Sequence, residues 1–314
     1  MNNPVVSVIM PAYNGEKYIS EAIESIINQT YQIWELIIVE DCSQDNTLEI
    51  IKRYLNDPRI KLYQNDRNIG IAGSRNKAIQ MSTGEYIAIQ DDDDISYPER
   101  LEEEVMFLDK HPDIDAVAGY WMKVDENGKE IIFIQNAYKN PKYVRAHLML
   151  QDCIGNGSAM FRRDFVIRNN LFYQDNMLGM EDYRFWIDFS KKGKISAVDR
   201  IVYKQRCHIN QESTKRKLID ETERKLLFLS FQKDALEKEG IILQPESYQI
   251  LGQMACERTD PALTVSDYKK LYDVFLDIIQ QANKLGLDNM EEIAVACRKV
   301  LGKKIANSKG FWNL

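Results

Sequence analysis

The first 110 residues alternate between short apolar runs and segments in which apolar residues recur at helical spacing. The apolar runs are 5–10, 36–39, 60–63 and 86–89, and the helical segments between them are 18–27, 48–54 and 72–81. Near-continuous apolar runs are typical of strands covered on both faces, and intervening helices indicate parallel strands joined by crossovers. The sequence therefore predicts an α/β fold with a Rossmann-like, mostly parallel sheet flanked by helices.

The alternating pattern ends with one more helix and changes after residues 116–119. Ser96 and Glu99 form a capping-box pattern that predicts this last helix, which extends to Lys110. Beyond it, Asn127-Gly128 separates two apolar runs and predicts a β-hairpin. From residue 213 to residue 314 the apolar residues recur at helical spacing. We therefore predict a first domain of residues 1–212 and a helical C-terminal region of residues 213–314.

Polar residues follow three of the predicted strands. Tyr13, Asp41 and the run Asp91–Asp94 each come directly after an apolar run. Because ligands bind at the carboxyl ends of the strands in such sheets, we expect these residues to converge on one crevice.

Four consecutive carboxylates, Asp91 to Asp94, are the strongest of these signals. Close carboxylates raise one another's pKa unless a cation or a row of donors compensates. Mg²⁺ is commonly held by one or two carboxylates together with substrate phosphates, which suggests a phosphorylated substrate. Asp91 and Asp93 are the pair that share a side of an extended turn. The alternative is a solvated acidic turn.

Three loops suggest contacts to a nucleotide. Tyr13 is suited to stacking on a base, the Asp41 carboxylate to accepting from a base or ribose, and Arg75 to holding an anion. Each has a simpler explanation, since the loop at 11–15 has ordinary turn chemistry and Asp41 is able to cap a helix. The segment Gly70–Gly73 matches neither a dinucleotide fingerprint nor a P-loop.

Two later segments carry groups suited to catalysis or metal binding. Asp182, directly after Glu181, shares a helical face with Phe185 and Trp186, so its carboxylate is a candidate general base with a raised pKa. Both carboxylates are alternatively explained as partners of the helix macrodipole. His208 follows a strand-like run and has Arg206 nearby, a pairing suited to a diphosphate or a metal, although lone histidines are mostly structural.

In their order, these motifs resemble those of the family 2 inverting glycosyltransferases, which have the GT-A fold. The resemblance covers residues 5–210 and rests on segments 8–15, 39–45, 68–76, 90–94 and 181–182. It implies a nucleotide-binding half of residues 1–120 and an acceptor half of residues 121–212.

The resemblance also implies roles for individual residues. It assigns the nucleotide-sugar to Pro11, Ala12, Tyr13, Asp41, Arg75, Asp91 and Asp92. It assigns a Mn²⁺ or Mg²⁺ ion to Asp93, with His208 as a second candidate ligand, and the catalytic base to Asp182. Glu181 and Asp94 are further candidates on the acceptor side.

Two departures from the family's motifs are informative. The second motif commonly reads Asp-Asp-Gly-Ser, whereas this chain has Glu40 and Cys42, so its turn is not made by glycine. The segment Gln205–His208 lacks the QxxRW form of processive relatives, which indicates transfer of one sugar at a time.

The expected activity is metal-dependent transfer of one sugar, with inversion, from a nucleotide-sugar to a hydroxyl of a glycan or lipid-linked acceptor. We expect the donor to be UDP-linked and the reaction to serve cell-surface polysaccharide synthesis. A sugar nucleotidyltransferase is an alternative, but residues 11–15 supply no glycine-rich triphosphate loop with a basic residue. A non-catalytic nucleotide-sugar or glycan-binding module is another.

Composition and charge restrict the partners and the location. The formal net charge of -7 and the absence of a basic face exclude nucleic acid as an expected partner. No apolar run approaches the length of a membrane span, so we expect a cytoplasmic protein. For residues 303–312 the sequence leaves open peripheral contact with the inner face of a membrane, packing within the protein, or homo-oligomerisation through the C-terminal helices.

Overall fold

The computed structural model describes residues 5–135, 138–208, 211, 221–255 and 264–307. The chain forms two compact units, one of residues 1–139 and 154–214 and the other of residues 140–153 and 215–314. The boundary predicted near residue 212 lies outside the described residues. Residues 140–153, which the sequence analysis placed in the acceptor half, belong to the unit that also contains the C-terminal helices.

The first unit is an α/β layer structure. Its strands are β1 (Val6–Ala12), β2 (Trp34–Glu40), β3 (Ile60–Gln64), β4 (Tyr86–Ile89), β5 (Ile95–Ser96), β6 (Ala116–Val124), β7 (Glu130–Ile134), β8 (Ala159–Arg162) and β9 (Ile195–Arg206). Its helices are α1 (Ile19–Ile27), α2 (Thr47–Lys52), α3 (Gly70–Met81), α4 (Arg100–Lys110), α6 (Arg163–Arg168) and α7 (Glu181–Ser190), with a 3₁₀ turn at Asn156–Ser158.

One mixed sheet contains the nine strands of the described part of the chain, in the order β3-β2-β1-β4-β8-β6-β9-β5, with β7 paired to β6. The pairs β1–β2, β1–β4, β2–β3 and β6–β9 are parallel. Strand β8 runs antiparallel to both β4 and β6. Six strands (β1, β2, β3, β4, β6 and β9) therefore point in one direction, and their carboxyl ends lie at one edge.

The central strands are covered on both faces, as their apolar sequences predicted. All residues of β1 and β2 are buried. Helix α1 packs Ile19, Ile23 and Ile26 into the same core cluster as β1. Continuous burial fixes these strands in the centre of the sheet, because polar edge positions would break such runs.

The start of α4 differs from the sequence prediction. The helix begins at Arg100, its N-cap residue is Glu99, and no side chain caps it. Ser96 instead lies in the short strand β5, where its hydroxyl bonds to Gln90. Ser96 does not cap the helix because its hydroxyl bonds to Gln90 and Arg100, which the fold brings to it.

The hairpin between β6 and β7 is confirmed. Gly128 has φ of 80°, a left-handed conformation that glycine adopts without strain. The Asp125 carboxylate accepts from the amides of Asn127 and Lys129 and stabilises the turn.

The second unit is helical in its described residues. Its helices are α5 (Pro141–Leu148), α8 (Glu221–Lys238), α9 (Pro245–Ala255), α10 (Val265–Leu285) and α11 (Met290–Asn307). Helix α10 has a capping box of Thr264 and Asp267 and ends at Gly286 with φ of 66°. No described helix has the length and apolar character needed to cross a membrane. Of the terminal segment 303–312, residues 308–312 lie outside the described residues.

A buried polar network joins the amino ends of the central strands. Glu35 accepts from the Ser7 hydroxyl at 2.6 Å, from Thr83, and from Lys61. Burial alone would raise the pKa of Glu35, but these donors outweigh it and lower the pKa to about 2.

We expect Glu35→Gln to reduce the free energy of unfolding by about 2 kcal/mol at pH 7. The folded pKa lies below the usual value of 4.5. The stabilisation by the carboxylate is therefore fully present above pH 4.5 and is lost as the pH falls toward 2. Urea unfolding of both proteins at pH 7 and pH 3 measures the effect. Glu49→Gln, which removes an exposed pair with Lys52, should change little. A gap of equal size at both pH values would contradict the linkage.

Candidate functional site

The acidic loop Asp91–Asp94 follows β4 at the edge where the six parallel strands end. The Asp91 carboxylate accepts from the Arg75 guanidinium at 2.7 Å. The Asp93 carboxylate lies 2.9 Å from Nε2 of His208. Asp91 and Asp93 thus contact different elements, α3 and the end of β9.

The other two aspartates hold neighbouring backbone. Asp92 accepts from the amide of Tyr13 at 3.1 Å, and Asp94 accepts from the amide of Arg206 at 2.7 Å. Burial and the nearby charge of Asp93 raise the pKa of Asp92 and of Asp94 well above the usual range. The repulsion expected from consecutive carboxylates is therefore present in the folded protein. Asp94 is 3% exposed, so its carboxylate supports the loop from inside the protein.

The loop after β1 meets the acidic loop directly. Pro11 and Ala12 are buried at the end of β1, whereas the Tyr13 side chain is 47% exposed. A Cβ built on Gly15 would lie 2.5 Å from a carboxylate oxygen of Asp92, so the two loops are in close contact. An exposed tyrosine ring beside the strand ends is suited to stacking on a planar base.

Asp41 is buried and its carboxylate is occupied by the protein itself. It accepts from the amide of Ile69 at 2.8 Å, from the amide of Gly70 at 2.9 Å and from the Asn65 side chain at 2.8 Å. Asp41 therefore fastens the start of α3 to the end of β2. Asp41 does not cap α2, the helix that follows it in the chain, because Asn65 and the start of α3 already donate to its carboxylate oxygens.

Cys42, the next residue, occupies a left-handed conformation with φ of 65°. Such a conformation costs a residue with a side chain roughly 1–2 kcal/mol relative to glycine. The turn expected of the family's glycine is thus formed without one.

Arg75 links the acidic loop to the start of α7. Its side chain is 5% exposed, pairs with Asp91, and has Nη1 at 4.0 Å from Oε1 of Glu181. The guanidinium carbon lies 5.3 Å from the ring centre of Tyr173. Arg75 therefore places positive charge between the carboxylates of the loop and those of α7.

Asp182 opens α7 together with Glu181. Asp182 was expected to point toward the core, but Asp182 is partly exposed and Glu181 is the buried carboxylate of the two. Burial and the adjacent charge of Glu181 raise the pKa of Asp182 to about 6, against the opposing effect of Arg75. A carboxylate with this pKa is largely ionised at neutral pH and still basic enough to accept a proton.

Tyr173 and Asn156 form a hydrogen-bonded group with Trp186 of α7, and no sequence motif pointed to them. The Tyr173 hydroxyl and the Trp186 indole N–H both donate to Oδ1 of Asn156, at 3.1 Å and 3.2 Å. The backbone of Tyr173 bonds to the Asn76 side chain of α3 through both its N–H and its C=O. Asn76 in the motif Ser74-Arg75-Asn76 was the one local signal of this contact.

His208 and Arg206 have separate roles. The His208 ring lies 4.9 Å from the ring of Tyr18, which orients it toward Asp93. Arg206 is 2% exposed and donates to the backbone carbonyls of Asp93 and Glu126. The expected pairing of Arg206 with a diphosphate is therefore not available in this arrangement, because the guanidinium already donates to these two carbonyls and to the Glu21 carboxylate.

The groups around Asp93 fit a hard divalent cation that also has ligands from a substrate. Oδ2 of Asp93 and Nε2 of His208 face each other, and a carboxylate with an imidazole suits Mn²⁺. Asp91 and Asp92 are engaged by Arg75 and Tyr13. Among the described residues no group of three histidine, cysteine or acidic side chains is arranged to hold a metal. The protein would therefore supply few ligands and a bound diphosphate the rest.

Comparison with known proteins identifies the family. The sequence profile described as glycosyl transferase family 2 matches residues 7–168. A glycosyltransferase from Haemophilus influenzae, described as uncharacterized, is 34% identical over 221 residues, which cover 68% of this chain and 68% of that protein. The chain belongs to glycosyl transferase family 2 and is a glycosyltransferase.

Other relatives connect the chain with polysaccharide biosynthesis. One is the Escherichia coli protein named UDP-Glc:alpha-D-GlcNAc-diphosphoundecaprenol beta-1,3-glucosyltransferase WfgD, 33% identical over 63% of this chain and 75% of that protein. Another is the Bacillus subtilis protein named putative teichuronic acid biosynthesis glycosyltransferase TuaG, 31% identical over 60% of this chain and 73% of that protein.

Solved structures confirm the predicted GT-A fold. Residues 1–349 of TarS from S. aureus in complex with UDP-GlcNAc superpose with a TM-score of 0.60 at 20% identity, covering 95% of this chain and 90% of that chain. The mannosyltransferase PcManGT from Pyrobaculum calidifontis in complex with GDP-Man and Mn²⁺ superposes with a TM-score of 0.55 at 17% identity, covering 100% and 83%.

We expect Cys42→Gly to be more stable than Cys42→Ala by about 1 kcal/mol, because only glycine adopts the left-handed conformation without strain. Both variants lose the same thiol contacts, so thermal unfolding of the pair isolates the backbone effect. In the right-handed interior of α4, Glu103→Gly should be less stable than Glu103→Ala. Equal stability of the two Cys42 variants would show that residue 42 is not held in this conformation.

Proposed function

We propose that this glycosyltransferase moves one sugar from a UDP-linked donor to a hydroxyl group of a glycan or lipid-linked acceptor, with inversion at the anomeric carbon. The observation that supports this proposal best is that carboxylates lie on both sides of Arg75. On one side lies the Asp91–Asp94 loop with the Asp93–His208 pair, and on the other lies Asp182. The Asp91–Asp94 side is suited to binding a diphosphate through a metal ion, and the Asp182 side is suited to accepting a proton.

The proposed donor site is the crevice edge at the ends of β1 and β4. Pro11, Ala12 and Tyr13 border the base, with Asp41 fastening the loop beside it. Asp91 faces the ribose while Arg75 holds its carboxylate in place. Asp92 supports the site through the amide of Tyr13 rather than by a free carboxylate.

Asp93 and His208 are the proposed ligands of a Mn²⁺ or Mg²⁺ ion. Such an ion neutralises the charge that develops on a diphosphate leaving group. Asp93 contributes a hard oxygen and His208 a ring nitrogen, and the Tyr18 ring orients the imidazole. The name of PcManGT's complex includes Mn²⁺, which agrees with a metal of this kind.

Asp182 is the proposed catalytic base. Its carboxylate accepts the proton of the acceptor hydroxyl as that oxygen forms a bond to the anomeric carbon. The bond from the anomeric carbon to the diphosphate oxygen breaks, and the nucleoside diphosphate leaves with the electron pair. Glu181 raises the basicity of Asp182 by its charge, and Arg75 limits that increase.

The relatives support the proposed substrates. The name of the WfgD relative specifies a UDP-sugar donor and a diphosphoundecaprenol-linked acceptor, and that of TuaG specifies a polysaccharide pathway. We infer a comparable class of acceptor for this chain, used at the cytoplasmic face of a membrane.

We expect Asp182→Asn to lower the transfer rate by about 10²–10⁴-fold without weakening donor binding. The assay uses Mn²⁺ and the sugar nucleotide that a screen of UDP- and GDP-sugars shows to be hydrolysed. For the unmodified protein kcat/KM should rise with pH up to about 6 and then level off, because Asp182 must be ionised. Asp188→Asn on the same helix should retain activity, since Asp188 pairs with Arg184 away from the proposed chemistry.

Stability gives an independent readout of Asp182. Its folded pKa is raised from 3.8 to about 6, so its ionisation destabilises the fold as the pH rises through that window. Asp182→Asn should therefore raise the free energy of unfolding at pH 7.5 by about 1–2 kcal/mol, and this gain should vanish near pH 4. Retained turnover in Asp182→Asn would remove it as the base.

We expect Asp93→Asn to weaken Mn²⁺ binding by at least about tenfold, because a neutral amide is a poorer ligand than a carboxylate. Titration of Mn²⁺ followed by electron paramagnetic resonance, with and without UDP, measures it. Asp199→Asn, which alters an exposed carboxylate paired with Lys139, is the control and should bind as the unmodified protein does. Unaltered metal-dependent UDP binding in Asp93→Asn would exclude Asp93 as a ligand.

A further inference from the structure

A chain of buried polar side chains lies behind the acidic loop, and none of them was a candidate site residue. Gln90, Ser96, Arg100 and Glu104 are 0%, 3%, 1% and 0% exposed. Burying the Arg100–Glu104 ion pair carries a large desolvation cost, which the hydrogen bonds of these two side chains must offset.

Gln90 closes the acidic loop through its amide group. Nε2 donates to the carbonyl of Asp91 at 3.0 Å and to the carbonyl of Asp94 at 2.9 Å. Because carbonyls only accept, the amide nitrogen must face them and the amide oxygen must face Ser96. Both donors of the amide group are therefore used to hold the two ends of the loop together.

Ser96 and Arg100 fix the orientation of Gln90. The Ser96 hydroxyl donates to Oε1 of Gln90 at 2.6 Å and accepts from Nη1 of Arg100 at 2.9 Å. Nε of Arg100 donates to Glu104 at 3.3 Å. Every hydrogen bond from the guanidinium through Ser96 and Gln90 to the loop has the same direction, an arrangement in which neighbouring bonds polarise and strengthen one another.

We propose that Gln90, Ser96 and Arg100 are positioning residues, which hold the acidic loop closed so that the Asp91 and Asp93 carboxylates keep the geometry needed for nucleotide-sugar binding. The inference rests on the proposed function of that loop. Four consecutive carboxylates repel one another, and the two carbonyl contacts of Gln90 oppose the opening that this repulsion favours.

The Arg100–Glu104 pair fixes the guanidinium that begins this series of hydrogen bonds. Arg100 also donates to the carbonyl of Ala159 at 3.2 Å and lies 5.1 Å from the ring centre of Tyr203. The Tyr203 hydroxyl in turn accepts from the amide of Asp91 at 3.1 Å. Arg100 thus reaches the loop by two routes, one through Ser96 and Gln90 and the other through Tyr203.

A second buried serine offers a matched comparison. The Ser7 hydroxyl also bridges two partners, since it donates to Glu35 at 2.6 Å and accepts from the amide of Gly84 at 2.8 Å. Ser7 is 0% exposed and belongs to the network at the amino ends of the strands, which contains no candidate site residue. Ser7→Ala and Ser96→Ala therefore remove equivalent bonds at opposite ends of the sheet.

The test is calorimetric titration of the full chain with UDP and with GDP, each with Mn²⁺, together with thermal unfolding. We expect both serine variants to lose stability, but only Ser96→Ala to bind its nucleotide about tenfold more weakly, as expected for the loss of one positioning hydrogen bond. Binding of equal strength in the two variants would overturn the proposal, since it would show that Ser96 acts on stability alone.

A double variant separates binding from folding more completely. Replacing the ion pair by apolar residues, in Arg100→Met with Glu104→Leu, is expected to cost less stability than Arg100→Met alone, because no unpaired charge stays buried. It removes the donor that orients Ser96 and Gln90, so nucleotide binding should again weaken by about tenfold or more. A stable double variant that binds as the unmodified chain does would refute the positioning role.

The outcomes for the unmodified chain distinguish the two proposals. If it binds neither UDP nor GDP with Mn²⁺, the proposed function is contradicted. If it binds one of them and Ser96→Ala binds equally well, only the positioning role is contradicted.

Discussion

Repulsion within the run Asp91–Asp94 is the constraint to which the surrounding structure responds. Among the described residues, no one cationic side chain pairs with all four carboxylates. Each contacts a different donor: the Arg75 guanidinium, the amide of Tyr13, the His208 ring and the amide of Arg206. These donors come from α3, the end of β1 and the end of β9. The loop therefore ties together the elements that end at one edge of the sheet.

The same constraint separates the two parts of the proposed chemistry. Arg75 is buried and carries one positive charge, so it cannot neutralise every carboxylate around it. It pairs closely with Asp91 and only distantly with Glu181, and burial leaves Asp182 with a pKa of about 6. A carboxylate that binds a cation and one that accepts a proton require different environments, and the position of Arg75 provides both.

Local sequence was sufficient where a single rule governs the backbone. The apolar run 86–89 predicted β4 with its observed bounds, and Asn127-Gly128 predicted the hairpin. It failed at Ser96, where a correct capping pattern was outcompeted by Gln90 and Arg100, residues brought to it by the fold. The prediction for Arg206 failed for the same reason, because backbone carbonyls and the Glu21 carboxylate already accept from its guanidinium.

The sequence by itself determined the α/β class, the position of the acidic loop after a central strand, and the family, because strand burial and motif order are properties of local pattern. Only the tertiary structure decided which donor each aspartate contacts, that Asp41 fastens a loop, and that Asn156 joins Tyr173 to Trp186. These contacts join residues far apart in the chain, such as Asp93 and His208, and no local pattern specifies which distant side chains the sheet brings together.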